Sequence, residues 1–184
     1  MLAAWDSAHR RLALAALDAD RPDDAVRHVQ LALEPVASLG EARHPLANTA
    51  DLHLLLGDAL AAAGREHEAR EAWEIAAAQQ GDFEAMAVQP YSERTAASVT
   101  ALRRLGLDDE ATDLRDGLAR YVDEQDGARA AVDYFATSLP TMLLFAEDVQ
   151  ATHDARTRLL RGQLARLDEQ EPLPSSQSSR RTDR

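Results

Sequence analysis

The chain has 184 residues with 20 basic and 32 acidic side chains, a formal charge of −12, and no cysteine. The missing cysteine excludes a disulfide scaffold, a thiolate metal site, an iron–sulfur cluster and a cysteine nucleophile. The acidic balance argues against a nucleic-acid binder, which needs a basic face, and no apolar run reaches the roughly 18 residues of a membrane span.

The start, Met1-Leu2-Ala3-Ala4-Trp5-Asp6, has no basic stretch ahead of an apolar one. No secretory signal is expected there, and the chain reads as cytoplasmic. There are 37 alanines, aromatics make up 4% of the chain, and all 20 basic residues are arginine. The arginine and alanine excess reads as codon bias rather than chemistry. Alanine is nonetheless the best helix former and lets helices approach closely. An all-α protein is therefore expected.

Periodicity predicts helices over 2–18, 22–37, 46–62, 66–79, 91–105, 108–125 and 147–167. Residues 81–90 read as a loop ending in Gln89-Pro90. Gly127 opens a short helical piece in 127–146, and Pro140 breaks it. From Glu169 the periodicity is lost. Glu171-Pro172-Leu173-Pro174 leads into a serine- and arginine-rich stretch, a polar tail expected to be disordered. The domain reading is thus 1–168 for the helical part and 169–184 for the tail.

A repeat emerges when these segments are superposed. The clearest unit runs from Leu56-Gly57-Asp58-Ala59-Leu60 through Gly64-Arg65 to Ala69, Trp73 and Ala76. Gly57 and Ala69 are small where two helices would cross, Gly64 suits a left-handed turn, and Leu60 and Trp73 fill the space between helices. Ala13, Ala16, Asp20, Ala25, Val29 and Ala32 hold the same places 44 residues earlier. Leu102, Gly106 and Ala111 do so 42 residues later, with Arg115 in place of Trp73. A fourth copy starts at Leu159-Leu160-Arg161-Gly162 and stops near Leu167, without its second helix.

This pattern resembles the tetratricopeptide repeat (TPR), a helix–turn–helix of about 34 residues stacked into a solenoid. The resemblance implies about three and a half helical hairpins. Three connecting stretches extend it. They are Ala37-Ser38-Leu39-Gly40-Glu41-Ala42-Arg43-His44-Pro45, Asp133-Tyr134-Phe135-Ala136-Thr137-Ser138-Leu139-Pro140, and Leu143 to Gln150 with Phe145, Glu147 and Asp148. With the repeats, they resemble the C-terminal TPR region of large bacterial proteins that carry an N-terminal β-rich domain of unknown function. That likeness implies that the chain is a piece of a larger multidomain protein. It also implies, as an alternative, an accessory region of a carbohydrate-related enzyme. A sensor module of a bacterial regulator is a further alternative.

No catalytic, cofactor-binding or metal-ligating residue is expected. The six histidines, His9, His28, His44, His53, His67 and His153, form no HExxH arrangement and read as surface residues. Carboxylates such as Asp108-Asp109-Glu110 sit at helix starts, where acids suit the helix dipole. No GxSxG surrounds Ser92, Ser98 or Ser138, and without lysine there is no Walker loop. Trp5, Trp73, Tyr134-Phe135 and Phe145 read as core fillers among alanines.

In such a solenoid the first helix of each pair lines a concave face where partners dock. Register places Arg10, Leu14, Asp51, Leu54, Asp58, Thr100, Arg103, Arg156 and Gln163 there. Asp51 and Asp58 would repel a carboxylate, so a C-terminal carboxylate clamp is not expected. The partner expected is a protein or peptide, or a neighbouring domain of the parent protein. The missing last helix should leave Leu159, Leu160, Leu164 and Leu167 as an exposed apolar stripe, and self-association through that end follows.

Overall fold

The computed structural model describes residues 1–34, 36–79, 81–84, 87–126 and 149–169. Seven α-helices dominate them: α1 (Leu2–Asp18), α2 (Pro22–Leu33), α3 (Ala50–Ala62), α4 (Glu66–Ala78), α5 (Thr95–Arg104), α6 (Asp108–Gln125) and α7 (Val149–Glu169). Among the described residues the fold is all-α apart from one small hairpin. In it β1 (Asp82–Glu84) runs antiparallel to β2 (Ala87–Gln89), with Phe83 opposite Val88.

The first six helices form three hairpins, each closed by the same turn. Asp20, Gly64 and Gly106 are its left-handed residues, with φ of 55°, 74° and 75°. The following residues, Arg21, Arg65 and Leu107, donate N–H to the carbonyls of Ala16, Leu60 and Leu102 at 2.9, 2.9 and 3.0 Å. This is the Schellman bond, which satisfies carbonyls that a helix end leaves open. Pro22 then opens α2 with its φ already helical, followed by Asp23 and Asp24 at the positive end of the dipole.

The core follows the repeat. Ala13, Ala16, Ala25, Val29 and Ala32 are buried in the first pair, and Leu60, Ala69 and Ala76 in the second. Val99, Leu102, Ala111 and Leu118 are buried in the third. A Cβ on Gly57 would run into the Trp73 indole and stand 3.0 Å from the Ala69 carbonyl oxygen. Gly57 therefore marks the crossing of α3 and α4, as its size implies. Each helix packs on the next in sequence through α6, and α3 also lies against α1 and α5.

Several boundaries differ from the expected ones. The helix predicted over 22–37 ends at Leu33, since a residue that precedes a proline in sequence, as Glu34 does, disfavours the helical conformation. Residues Ala37–Leu39 form a separate 3-10 turn. The helix expected from 46 begins at Ala50, because Asn48 turns back to accept the Ala50 N–H at 2.9 Å. The one expected from 91 begins at Thr95, after a turn in which Thr95 Oγ1 accepts the Ser92 N–H at 2.9 Å. The expected 81–90 loop contains the β hairpin. Residues 127–146 and the tail beyond Glu169 lie outside the described residues.

The largest correction concerns α7. Leu160, Leu164 and Leu167 are 1%, 8% and 3% exposed, and only Leu159 of the expected open stripe is exposed, at 41%. Leu160 and Leu164 pack with Leu118 and Val122, and Leu167 packs with Val99, Leu102 and Ala111. The stripe is not left open, because the apolar face of α7 is spent on α5 and α6. No helix among the described residues is long and apolar enough to cross a membrane.

Candidate docking cleft

The helices α1, α3, α5 and α7 neighbour one another in that order. A cleft of about 420 Å³ opens on the side they share. The segment just before α5 joins them in lining it. Of the residues that register placed on a concave face, Arg10, Asp51, Leu54, Thr100 and Gln163 line this cleft.

Its chemistry is mixed. Leu54, Ala96 and Ala97 give it an apolar part, and Thr100 closes its own hydroxyl onto the Ala96 carbonyl at 3.0 Å. The same cleft carries a chain of charges. Arg10 of α1 meets Asp51 of α3 at 3.1 Å, and Arg94 meets Asp51 at 3.6 Å and Asp82 at 2.7 Å. The Asp82 side chain is only 2% exposed. Its other carboxylate oxygen accepts the Asn48 N–H at 3.0 Å, so the hairpin anchors Arg94. A buried carboxylate is tolerated because it is both paired and hydrogen-bonded.

Gln163 of α7 donates to the Glu93 carbonyl at 2.8 Å and so ties α7 to the start of α5. Its Oε1 is buried and has no hydrogen-bond partner. An acceptor left in that state costs about 1–3 kcal/mol until something donates to it.

The other four expected groove residues do not line the cleft. Leu14 is an exposed apolar side chain of α1. Asp58 accepts from the Trp73 indole at 3.1 Å and from Arg104 at 3.0 Å. Arg103 donates to the Leu167 carbonyl at 2.9 Å, and Arg156 to the Tyr91 carbonyl at 3.3 Å. Asp58, Arg103 and Arg156 act as staples between elements. Conversely, Glu93, Arg94, Arg166 and Leu167 line the cleft without having been expected. Glu93 and Arg94 sit in the turn before α5, outside any helical register. Arg166 lies one turn beyond Gln163 on the same face of α7, so extending the register by three residues would have found it.

The histidines are less exposed than the sequence suggests. His9, His28, His53 and His153 are all partly buried, and only His44 and His67 are surface residues. Helical spacing alone does not reveal this, because the contacts are made between helices. Trp5 and Trp73 are partly buried, while Tyr134-Phe135 and Phe145 lie outside the described residues. Tyr91 and Tyr121 form a further aromatic pair with centroids 5.3 Å apart, and Tyr91 lies where a Cβ on Gly117 would fall. Among the described residues no three His, Asp or Glu side chains converge to hold a metal ion. Comparison with protein-family models, with curated proteins and with solved structures gives no match.

Proposed function

We propose that the chain is a non-enzymatic, TPR-like helical-repeat scaffold of about three and a half units that docks a protein or peptide segment in the cleft. The three identical turns and their equivalent buried positions support the repeat reading, with α7 as the half unit. A neighbouring domain of a larger protein would present the same kind of segment. The cleft is the observation that carries the docking reading. Its lining combines the apolar side chains Leu54, Ala96, Ala97 and Leu167 with side chains of both charges. That combination suits an extended polypeptide, whose backbone and side chains of either polarity find partners there.

Selection of a random peptide library on the full chain tests this. The expected result is peptides binding with Kd on the order of micromolar, weakened at least about tenfold by Thr100→Arg, which fills the cleft. Leu159→Ala, away from the cleft, should leave binding unchanged. Failure to enrich any peptide, or binding indifferent to Thr100→Arg, overturns the docking reading.

A further inference from the structure

His9 of α1 and His28 of α2 meet across the first helix pair with their Nδ1 atoms 3.1 Å apart and their ring centroids 5.3 Å apart. The centroids are farther apart than the nitrogens by about one ring width. The nitrogens therefore meet nearly head to head, the geometry of a hydrogen bond. A chelated metal would instead require their lone pairs to converge on a third point.

Such a contact fixes the proton inventory. In a neutral imidazole one nitrogen donates and the other accepts. One ring must therefore be the Nδ1–H tautomer and the other the Nε2–H tautomer. A first added proton goes to the outer nitrogen of the donor ring and leaves the bond in place, now charge-assisted. A second must go onto the acceptor Nδ1. Two donors then face each other, the bond is gone, and two positive rings are in contact.

Nearby carboxylates have other partners. Both oxygens of Asp6 on α1 lie 2.9 Å from Arg43, which also donates to the Ala32 carbonyl at 2.9 Å. On α2, Asp24 is held by Arg21 and Arg27. On α3, Asp51 is held by Arg10 and Arg94, and His53 feels Arg43 as a further positive charge. Trp5 closes the stack, 4.3 Å from His9 by centroid, and its indole N–H donates to the Leu31 carbonyl at 2.8 Å. The apolar contact beneath is made by Ala13, Ala16, Ala25 and Ala32 with Val26, Val29 and the partly buried Leu17 and Leu33. The polar links add to that apolar contact in holding the pair together.

We propose that His9 and His28 form a proton-operated latch between α1 and α2, closed by one Nδ1–H···Nδ1 bond and opened when both rings are protonated. Burial, and next the positive charge of His28, push His9 below its usual 6.5, while Asp6 opposes them. The folded pair thus binds its second proton more weakly than two separate rings in the unfolded chain. Acidification below the ordinary histidine range therefore works against the closed pair. Because α1 carries Arg10, opening would withdraw one wall of the cleft. That consequence rests on the docking reading; the latch itself does not.

Nuclear magnetic resonance on the 15N-labelled full chain tests the latch. At about pH 8 the long-range imidazole spectrum should show one Nδ1–H ring and one Nε2–H ring, and titration should separate two steps by about one pH unit or more. Between about pH 7 and pH 5, amides of α1 and α2 should lose at least about tenfold in exchange protection relative to those of α3 to α6. His28→Asn places an amide near the Nδ1 position without a second titrating ring, and it should keep that protection. His9→Asn serves the same purpose should the first variant fold poorly. Two Nε2–H rings at high pH, one shared titration step, uniform loss across all helices, or equal loss in the folded Asn variants would each overturn the proposal.

Discussion

The Trp73 indole N–H donates to Asp58 Oδ1 at 3.1 Å, and the same carboxylate oxygen accepts from Arg104 Nε at 3.0 Å. One aspartate thereby joins α4, α3 and α5. The bond also fixes the indole over Gly57, where a Cβ would collide with it.

Gly57→Ala sets two effects against each other. Alanine in a helix interior gains about 1 kcal/mol in propensity. Overpacking a fixed contact costs about 1–3 kcal/mol. The indole is pinned by Asp58 and the opposing Ala69 oxygen is backbone, so the steric term should win. A net loss of up to about 2 kcal/mol in urea unfolding is expected. Gly162→Ala is the control, since a Cβ there meets nothing within 4 Å. It should stabilise by about 0.5–1 kcal/mol.

The shared turn predicts a second asymmetry. Asp20 holds a left-handed φ of 55° at the place where Gly64 and Gly106 hold 74° and 75°. A side chain in that conformation is strained, though less for aspartate than for most residues. Asp20→Gly should stabilise the chain by about 0.5 kcal/mol, while Gly64→Ala should destabilise it by about 1 kcal/mol. Thermal melts of the two variants should move in opposite directions.

Acid should weaken the fold in two separate windows. Burial pushes His53 below its usual 6.5, against the Thr49 carbonyl and Asp51, which oppose it, while Arg43 adds to it; His9 moves the same way. A histidine with a depressed folded value lets the unfolded chain take its proton first. Its stabilisation is complete above about pH 6.5 and is lost as pH falls through the folded values. The urea midpoint should therefore drop between about pH 7.5 and pH 5.5, and His53→Gln should flatten the slope. Glu41, held down by the Leu2 N–H and then by the terminal ammonium, acts later, as pH falls through and below its usual 4.5. A midpoint that rises toward pH 5.5 contradicts the first window.

How much of this was legible in the sequence divides along local and non-local lines. Gly57, Gly64, Ala69 and the alanine positions 44 residues earlier announced the hairpins, because turn conformation and close helix approach are demanded by residue size alone. The β hairpin was hidden: its strands are three residues each, too short for a period, and Asp82 is fixed by Asn48 and Arg94 from distant parts of the chain. The cleft was half legible. Register found Arg10, Asp51, Leu54, Thr100 and Gln163 on their helices, but Arg94 reaches it from a turn. The histidine pairing depends on the relative rotation of α1 and α2, which the spacing within either helix leaves open.

The sharpest test of the architecture lies in adjacent residues of α7. Reading the fourth copy as an incomplete pair makes Leu159, Leu160, Leu164 and Leu167 one exposed stripe, and truncating any of them would then cost little. The fold separates them: Leu160 is 1% exposed against Leu118 and Val122, while Leu159 is 41% exposed. Deleting a buried leucine side chain removes its transfer free energy and leaves a cavity, about 2–5 kcal/mol in total. An exposed one away from special features changes stability by at most about 0.5 kcal/mol. Leu160→Ala should therefore lower the urea midpoint markedly, and Leu159→Ala should barely move it. Equal, small effects would mean that α7 does not pack on α6 and that the open-stripe expectation is correct. A large effect at Leu160 alone makes α7 an integral part of the core, so that the cleft wall it provides through Gln163 and Arg166 is as firmly placed as those of α3 and α5.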